Sequence, residues 1–134
     1  MIDRIKHNGT EYKIMEEDSG WIYPELNSAF ARSYHYTEDK NMPRYRKCGN
    51  VVEINGIISP TAEFNTSGEK EIFYLPEGFR PDRIRWFITH CDGTHHCQIL
   101  IRDNGRVSMA RYSSDNMNIG TESQIMLQVT FLID

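Results

Sequence analysis

The residues with the clearest capacity for chemistry lie close together between positions 90 and 97. Three imidazoles and two thiols fall within these eight positions: His90, Cys91, His95, His96 and Cys97. Imidazole and thiolate are ligand types that zinc prefers, so the cluster is a candidate metal site. The sequence lacks the usual pairs of ligands on two separate knuckles, because all five residues belong to one predicted hairpin. We therefore expect a polar hairpin tip with free thiols and no cofactor. A zinc ion, held by one chain or shared between subunits on a symmetry axis, is the alternative.

The sequence contains no recognisable motif for other kinds of catalytic site. A nucleophilic Cys–His pair needs a base and an oxyanion site that converge on the thiolate, and no segment supplies a recognisable motif for them. Paired carboxylates of the glycosidase kind are conceivable, but the spacing of the acidic residues carries no information, and a solvated surface is the better explanation. We predict no catalytic residue and expect that the protein is not an enzyme.

Two predicted loops contain residue types that recognise sugars. An aromatic ring packs against the C–H face of a sugar, and planar polar groups bind its hydroxyls. The candidate ligand-binding residues in these loops are Tyr34, His35, Tyr36, Arg111, Tyr112, Asp115 and Asn116. Trp86 shares one face of a predicted strand with Ile84 and Ile88, so we expect it in the core. Trp21 is likewise expected to be a packing anchor.

The composition of the chain argues against nucleic acid and membrane as binding partners. The chain has 134 residues, a formal net charge of -4 and charges of both signs in mixed order. It therefore lacks the one-sign field that attracts nucleic acid, and no apolar run approaches the ~20 residues of a membrane helix. The N-terminus has no signal-peptide pattern and the cysteine count is odd, so we expect a soluble, unsecreted chain with at least one unpaired thiol.

The spacing of turns and apolar residues predicts an all-β chain. An Asn8-Gly9 turn predicts a small hairpin over 5–14, followed by a charged joint at 16–20. Period-two alternation predicts strands over 50–59, 71–75, 84–91, 97–101, 107–111 and 124–133, with hairpin turns at Asp92-Gly93 and 103–105 and a stiff loop over 76–81. We predict an antiparallel, jelly-roll-like β-sandwich over 21–134, and an N-terminal hairpin or connector over 1–20.

Four features in order along the chain resemble a known family. They are Trp21, the segment YRKCGNVVEING at 45–56, the loop LPEGFRP at 75–81 and the hairpin ILIRDNGRV at 99–107. Together they resemble the C-terminal, head-like domain of phage tail-fibre and baseplate receptor-binding or minor structural proteins, over roughly Trp21 to Asp134.

The resemblance implies a function as well as a fold. It implies a homotrimer in the virion, at the tail or baseplate, which is made in the host cytoplasm, contacts other tail or baseplate proteins and docks on a host cell-surface saccharide. A small β domain exposes sheet edges, and the N-terminal hairpin lacks a core, so association around a threefold axis would cover both. A purely structural tail component and a tail-associated glycan hydrolase are the two alternatives. Neither nucleic acid nor membrane insertion is expected.

Overall fold

The computed structural model describes residues 4–7, 10–13 and 17–133, and these form an all-β chain in which every strand pair is antiparallel. Helix in this part of the chain is limited to one 3-10 turn at Asp39–Asn41. None of it is a helix that is long and apolar enough to span a membrane. The strands are β1 (Arg4–His7), β2 (Thr10–Lys13), β3 (Phe30–Arg32), β4 (Arg44–Cys48), β5 (Val51–Asn55), β6 (Ile57–Pro60), β7 (Phe64–Asn65), β8 (Lys70–Tyr74), β9 (Arg85–His90), β10 (His96–Ile101), β11 (Arg106–Ala110), β12 (Asn118–Ile119), β13 (Ile125–Met126) and β14 (Val129–Leu132).

The strands build a β-sandwich around one core, which confirms the predicted fold class. A four-stranded sheet with the order β8-β11-β10-β9 faces two three-stranded sheets, β14-β5-β4 and β13-β6-β3, and the pair β12-β7 completes the body. Alternate residues of β5 and β14 point inward, and the core includes the fully buried Val52, Ile54, Ile99 and Val107. Tyr45 stacks on Phe73 with ring centroids 5.9 Å apart, which joins the β4 side of the core to the β8 side.

The predicted strand over 50–59 divides at Gly56. Val52, Ile54 and Ile58 are buried, as the alternation predicts, but β5 belongs to one sheet and β6 to another. Gly56 has a φ of +119°, and a Cβ at this position would lie 2.4 Å from the Cα of Pro43. Only glycine fits this close approach, and it lets the strand change sheets.

The predicted hairpins and the stiff loop are present. The β9–β10 hairpin turns at Asp92-Gly93, and the β10–β11 hairpin turns at Gly105, which has a φ of +92°. The Gly105 carbonyl accepts a hydrogen bond from the amide of Leu75, and the Arg80 side chain donates to the Leu75 carbonyl. The 76–81 loop is thereby tied to the neighbouring hairpin.

The N-terminal region contains the predicted hairpin strands. β1 pairs with β2, while the Asn8-Gly9 turn lies outside the described residues. Residues of the predicted joint pair with the edge of β4, because Asp18 bridges Cys48 and the Ser19 amide donates to the Lys47 carbonyl. The division between a connector and a domain at residue 20 stays a prediction.

The core assignment of Trp86 was wrong. Trp86 is 63% exposed and Ile88 is 77% exposed, whereas Phe87 packs against the core and Thr89 is buried. Phe87 and Thr89 lie opposite Ile99 and Cys97, which are fully buried, whereas Trp86 lies opposite Leu100 and Ile88 opposite Gln98. Alternation had predicted the two faces of β9 correctly but had not shown which one points inward.

Candidate functional site

The cluster at the β9–β10 tip is divided between the core and the surface. Cys91 and Cys97 are fully buried free thiols, whereas His90 and His96 are exposed and face each other across the hairpin. The neighbouring Cys97 thiol, together with burial, raises the pKa of Cys91 far above its usual value, so this thiol stays protonated. In the described part of the chain no three His, Cys, Asp or Glu side chains are placed to hold a metal ion together. The zinc alternative stays a prediction.

The predicted loop at 111–116 meets this hairpin tip. The His95 ring packs on the Tyr112 ring at 4.8 Å, and Nδ1 of His95 lies 3.2 Å from the Ser113 hydroxyl. Tyr112 itself is buried, and its hydroxyl donates to Asp92 at 2.9 Å. Burial raises the pKa of Tyr112 to about 12. Its ring is thus a packing element and does not offer a platform at the surface.

The other predicted residues of this loop are exposed. Arg111 has a φ of +57°, and its amide donates to the Thr66 carbonyl. The Asn116 side chain accepts a hydrogen bond from the Asn118 amide, which stabilises the turn, while Asp115 is exposed beside it. These three residues remain accessible candidates for ligand contact.

The second predicted loop lies near the same end of the sandwich. Tyr34 is 53% exposed and donates a hydrogen bond to Glu122, which raises the pKa of Tyr34. The His35 ring packs on the Tyr34 ring at 4.3 Å, and Tyr36 is exposed. Ser123, the residue after Glu122, donates to the Tyr112 hydroxyl. A chain of contacts thus joins the two predicted loops and the hairpin tip.

A groove of about 560 Å³ lies along β9 and includes His90 of the hairpin tip. One wall is β9, and the others are the start of β6, the segment around β13 and the loop that continues from Tyr36. Its lining residues are Lys40, Asn41, Asn55, Gly56, Ile57, Ile88, Thr89, His90, Met126 and Gln128. Of the sequence-predicted site residues, His90 alone belongs to this lining.

The groove exists because β9 contacts β13 and β14 at separate points and does not form a continuous hydrogen-bonded ladder with them. Cys91 forms a single bridge with Ile125, and the Thr89 hydroxyl donates to the Met126 carbonyl. Farther along, Nη2 of Arg85 lies 3.4 Å from the Leu132 carbonyl. Because the two segments are held at these points, space is left between them for a ligand.

The lining combines amides with an aliphatic surface. Asn41, Asn55 and Gln128 supply carboxamides, which both donate and accept hydrogen bonds, and Lys40 supplies a cation. Ile57, Ile88 and Met126 supply the apolar surface, and none of the described lining residues is a carboxylate. This combination suits a ligand with hydroxyl or amide groups on one side and C–H groups on the other.

The polar surface continues from the groove onto the outer face of β5 and β14. A second, shallower depression of about 250 Å³ shares Asn55 and Gln128 with the groove and adds Glu53 and Thr130. Asn55 is held in place from both sides, since Nε of Arg44 donates to its Oδ1 at 3.1 Å and its Nδ2 donates to Glu53 at 3.2 Å.

Trp21 lies at the end of this polar network. The guanidinium carbons of Arg44 and Arg46 lie 4.0 Å and 4.6 Å from the centre of its ring, which is consistent with the packing role predicted for it. Arg46 also pairs with Glu53, at 3.4 Å. The arginines, the carboxylate and the amide of this outer face therefore have fixed orientations before any ligand arrives.

Comparisons with known proteins identify the fold. No family model matches the chain, and no curated protein matches it. Among solved structures, the crystal structure of the receptor binding protein (gp15) of Listeria phage PSA is similar, with a TM-score of 0.63 and 16% sequence identity. The match covers 90% of this chain and 68% of that one. The chain therefore has the fold of a phage receptor binding protein.

Proposed function

We propose that this protein is a receptor-binding domain of a phage tail or baseplate, which binds a host cell-surface saccharide in the groove beside β9. Two independent lines support the proposal. The fold is that of a phage receptor binding protein, and the ordered sequence motifs resemble the same class. The observation that carries the ligand class is the groove itself, whose amides lie beside an aliphatic surface.

A saccharide matches this lining group by group. Sugar hydroxyls donate and accept, as do the carboxamides of Asn41, Asn55 and Gln128, while the C–H groups of a pyranose ring pack on Ile88 or Met126. Lys40 adds a cation for an anionic substituent. The groove is open and shallow, so each site is expected to bind weakly, and several sites in a homotrimer would act together to retain the host cell.

Location and partners follow from the same proposal. The chain would act in the virion, after synthesis in the host cytoplasm, and would contact other tail or baseplate proteins. The proposal includes no chemical step and no bound metal.

Gln128 gives the sharpest test of the groove. Its side chain lines both depressions and makes no hydrogen bond to the described residues, so Gln128→Ala removes a ligand contact without breaking an internal one. We expect binding to saccharides released from the host surface to weaken about tenfold, the equivalent of roughly 1.4 kcal/mol. The matched control is Gln98→Ala, which removes the same amide from β10 outside the groove and should leave binding unchanged.

The readouts are a glycan array, titration calorimetry on any glycan it identifies, and adsorption of the labelled protein to host cells. If Gln128→Ala and Gln98→Ala both bind the saccharide as tightly as the wild type, the groove is not the binding site. Failure of the wild-type protein to bind any host cell or glycan would refute the receptor-binding function.

A further inference from the structure

A second depression, of about 570 Å³, lies at the junction of β9 and β14. Its lining residues are Arg83, Arg85, Trp86, Phe87, Thr130, Phe131 and Leu132, and none of them belongs to the described lining of the groove. Two of these side chains are guanidinium groups, and none of them is a carboxylate. The depression therefore combines two cations with the ring of an exposed tryptophan. We name it the arginine depression.

Arg83 brings a free cation to the arginine depression. It lies in the loop before β9 and is exposed. Among the described residues, none forms an ion pair with its guanidinium. An arginine side chain is always charged and carries only donors, so the N–H groups of Arg83 are available to an acceptor from outside the chain.

Arg85 brings a second cation that its neighbours satisfy only in part. Its Nη2 lies 3.3 Å from the Asp82 carboxylate and 3.4 Å from the Leu132 carbonyl, and both distances are long for hydrogen bonds of a charged donor. Asp82 is 52% exposed, so this ion pair is weak. Nε of Arg85 is buried and has no hydrogen-bond partner among the described residues. Native proteins rarely leave a buried donor unpaired, so the Arg85 guanidinium lacks an acceptor.

Trp86 supplies a flat surface next to the two arginines. Its side chain is 63% exposed. No cation or aromatic ring of the described chain packs on it, whereas Trp21 is in contact with both Arg44 and Arg46. An open indole ring packs well against the C–H face of a sugar, and the Thr130 hydroxyl on the β14 side of the depression can bind a sugar hydroxyl.

We propose that the arginine depression is a second binding site, which holds the carboxylate or phosphate of an acidic saccharide. Arg83 and Arg85 bind the anionic oxygens, and the sugar ring that carries the anion stacks on Trp86. A neutral sugar would leave both guanidinium groups without an acceptor. An acidic peptide would supply carboxylates but no pyranose face for the indole, so it is the poorer occupant.

The arginine depression and the groove are neighbours on β9. Trp86 lines the former and Ile88 the latter, and the two residues lie on the same face of the strand, about 7 Å apart along it. One acidic saccharide chain can therefore place neutral groups in the groove and its anion in the arginine depression. The host surface as the source of this chain rests on the proposed function, whereas anion binding in the arginine depression does not.

The test titrates the full-length protein with glucuronate, glucose 6-phosphate and neutral glucose, followed by calorimetry. We expect both acidic probes to bind at least about tenfold more tightly than glucose, because each charge-assisted hydrogen bond contributes that much or more. Their binding should weaken as salt is added, since the arginine depression is open to solvent. Circular dichroism melts check that every variant is folded.

The variants separate a specific site from general charge. Arg83→Gln should weaken the binding of both acidic probes about tenfold. Lys70→Gln is the control, because it removes one positive charge from β8, at the opposite edge of the same sheet, and it should bind like the wild type. Arg85→Lys keeps the charge but loses the planar fork, so it should also weaken binding.

Fluorescence locates the bound probe. The difference in emission between the wild type and Trp86→Phe isolates Trp86 from Trp21, and the acidic probes should change this difference. Glucose that binds as tightly as the acidic probes would overturn the proposal, as would equal binding by Arg83→Gln and Lys70→Gln. Inorganic phosphate that binds as tightly as glucose 6-phosphate, or tri-glutamate that binds as tightly as glucuronate, would overturn the saccharide as the ligand.

The two sites can fail separately. Gln128→Ala alters the groove alone, so it should leave the Trp86 response to the acidic probes unchanged. A protein that binds host glycans in the groove but shows no Trp86 response to either acidic probe would overturn this proposal and leave the proposed function intact. A Trp86 response without binding to any host glycan would count against the proposed function alone.

Discussion

Tyr112→Phe tests whether the buried Tyr112 hydroxyl stabilises the junction between the hairpin tip at Asp92 and the segment at Ser123. This hydroxyl donates to the Asp92 carboxylate at 2.9 Å and accepts from Ser123 at 3.3 Å. A hydrogen bond to a charged group contributes about 1.5–3 kcal/mol, and the half-buried Asp92 can regain water, so we take the lower end. The variant should lose about 1.5 kcal/mol at pH 8, which lowers the melting temperature by roughly 5 °C for a domain of this size.

The same substitution predicts a dependence on pH with a definite sign. The pKa of Tyr112 is raised to about 12 in the folded state, mainly by burial, whereas an unfolded tyrosine has a pKa of about 10. The stabilisation from keeping this phenol neutral is therefore complete below about pH 10 and is lost as the pH rises towards 12. At pH 11 the wild-type protein should have lost about 1.4 kcal/mol relative to the phenylalanine variant, so their stabilities should converge.

The assay is urea unfolding of both proteins at pH 8 and pH 11, followed by circular dichroism. Other tyrosines ionise equally in the two proteins and cancel in the difference. Tyr23→Phe serves as the control, because Tyr23 is exposed, and it should match the wild type at both pH values. A gap between the wild type and Tyr112→Phe that is as large at pH 11 as at pH 8 would refute the reasoning.

Two further substitutions test contacts that stabilise the β-sandwich. Gly56→Ala should destabilise the protein by about 3 kcal/mol or more, since the added Cβ would lie 2.4 Å from Pro43. Gly68 has open space around it, so Gly68→Ala should lower the free energy of unfolding by less than about 1 kcal/mol. Urea unfolding measures both. Glu69→Gln removes the pairing with Arg102, which holds the pKa of Glu69 below its usual range, and should cost about 1 kcal/mol at pH 7. This loss of stability should vanish as the pH falls below the usual carboxylate range, because Glu69 of the wild type is then protonated and no longer forms an ion pair with Arg102. A loss of stability that persists at low pH would contradict the ion-pair account.

Most of the strands could be predicted from the sequence because their burial alternates. In the segment 124–133, Ile125, Leu127, Val129 and Phe131 are buried as predicted, although the one predicted strand divides into β13 and β14, which belong to different sheets. β3, β7 and β12 could not be found in this way, because strands of two or three residues have no measurable period. They are held by tertiary contacts, such as the pairing of Phe30 with Pro60.

The proposed binding groove was harder to predict because it depends on the pairing of distant segments. Sequence reasoning favoured loops with aromatic and charged residues, and the described loops at 34–36 and 111–116 do lie near one end of the sandwich. The groove lining instead comes mainly from strand residues and from Lys40 and Asn41, whose side chains carry no local signal. The exposure of Trp86 was missed for a related reason, since alternation along β9 does not show which of its two faces packs against the core.

Gly56 links these observations. In the sequence it occupies a place on the inner face of one long predicted strand, between Ile54 and Ile58. In the structure its positive φ and its contact with Pro43 end β5 and start β6, so that Asn55 and Ile57 both reach the groove while their neighbours stay in the core. A side chain at this position would force β5 and β6 apart from Pro43 and would displace both residues from the lining. The one residue in the predicted strand without a side chain thus sets the geometry of the groove, which is why residue chemistry alone could not reveal the groove.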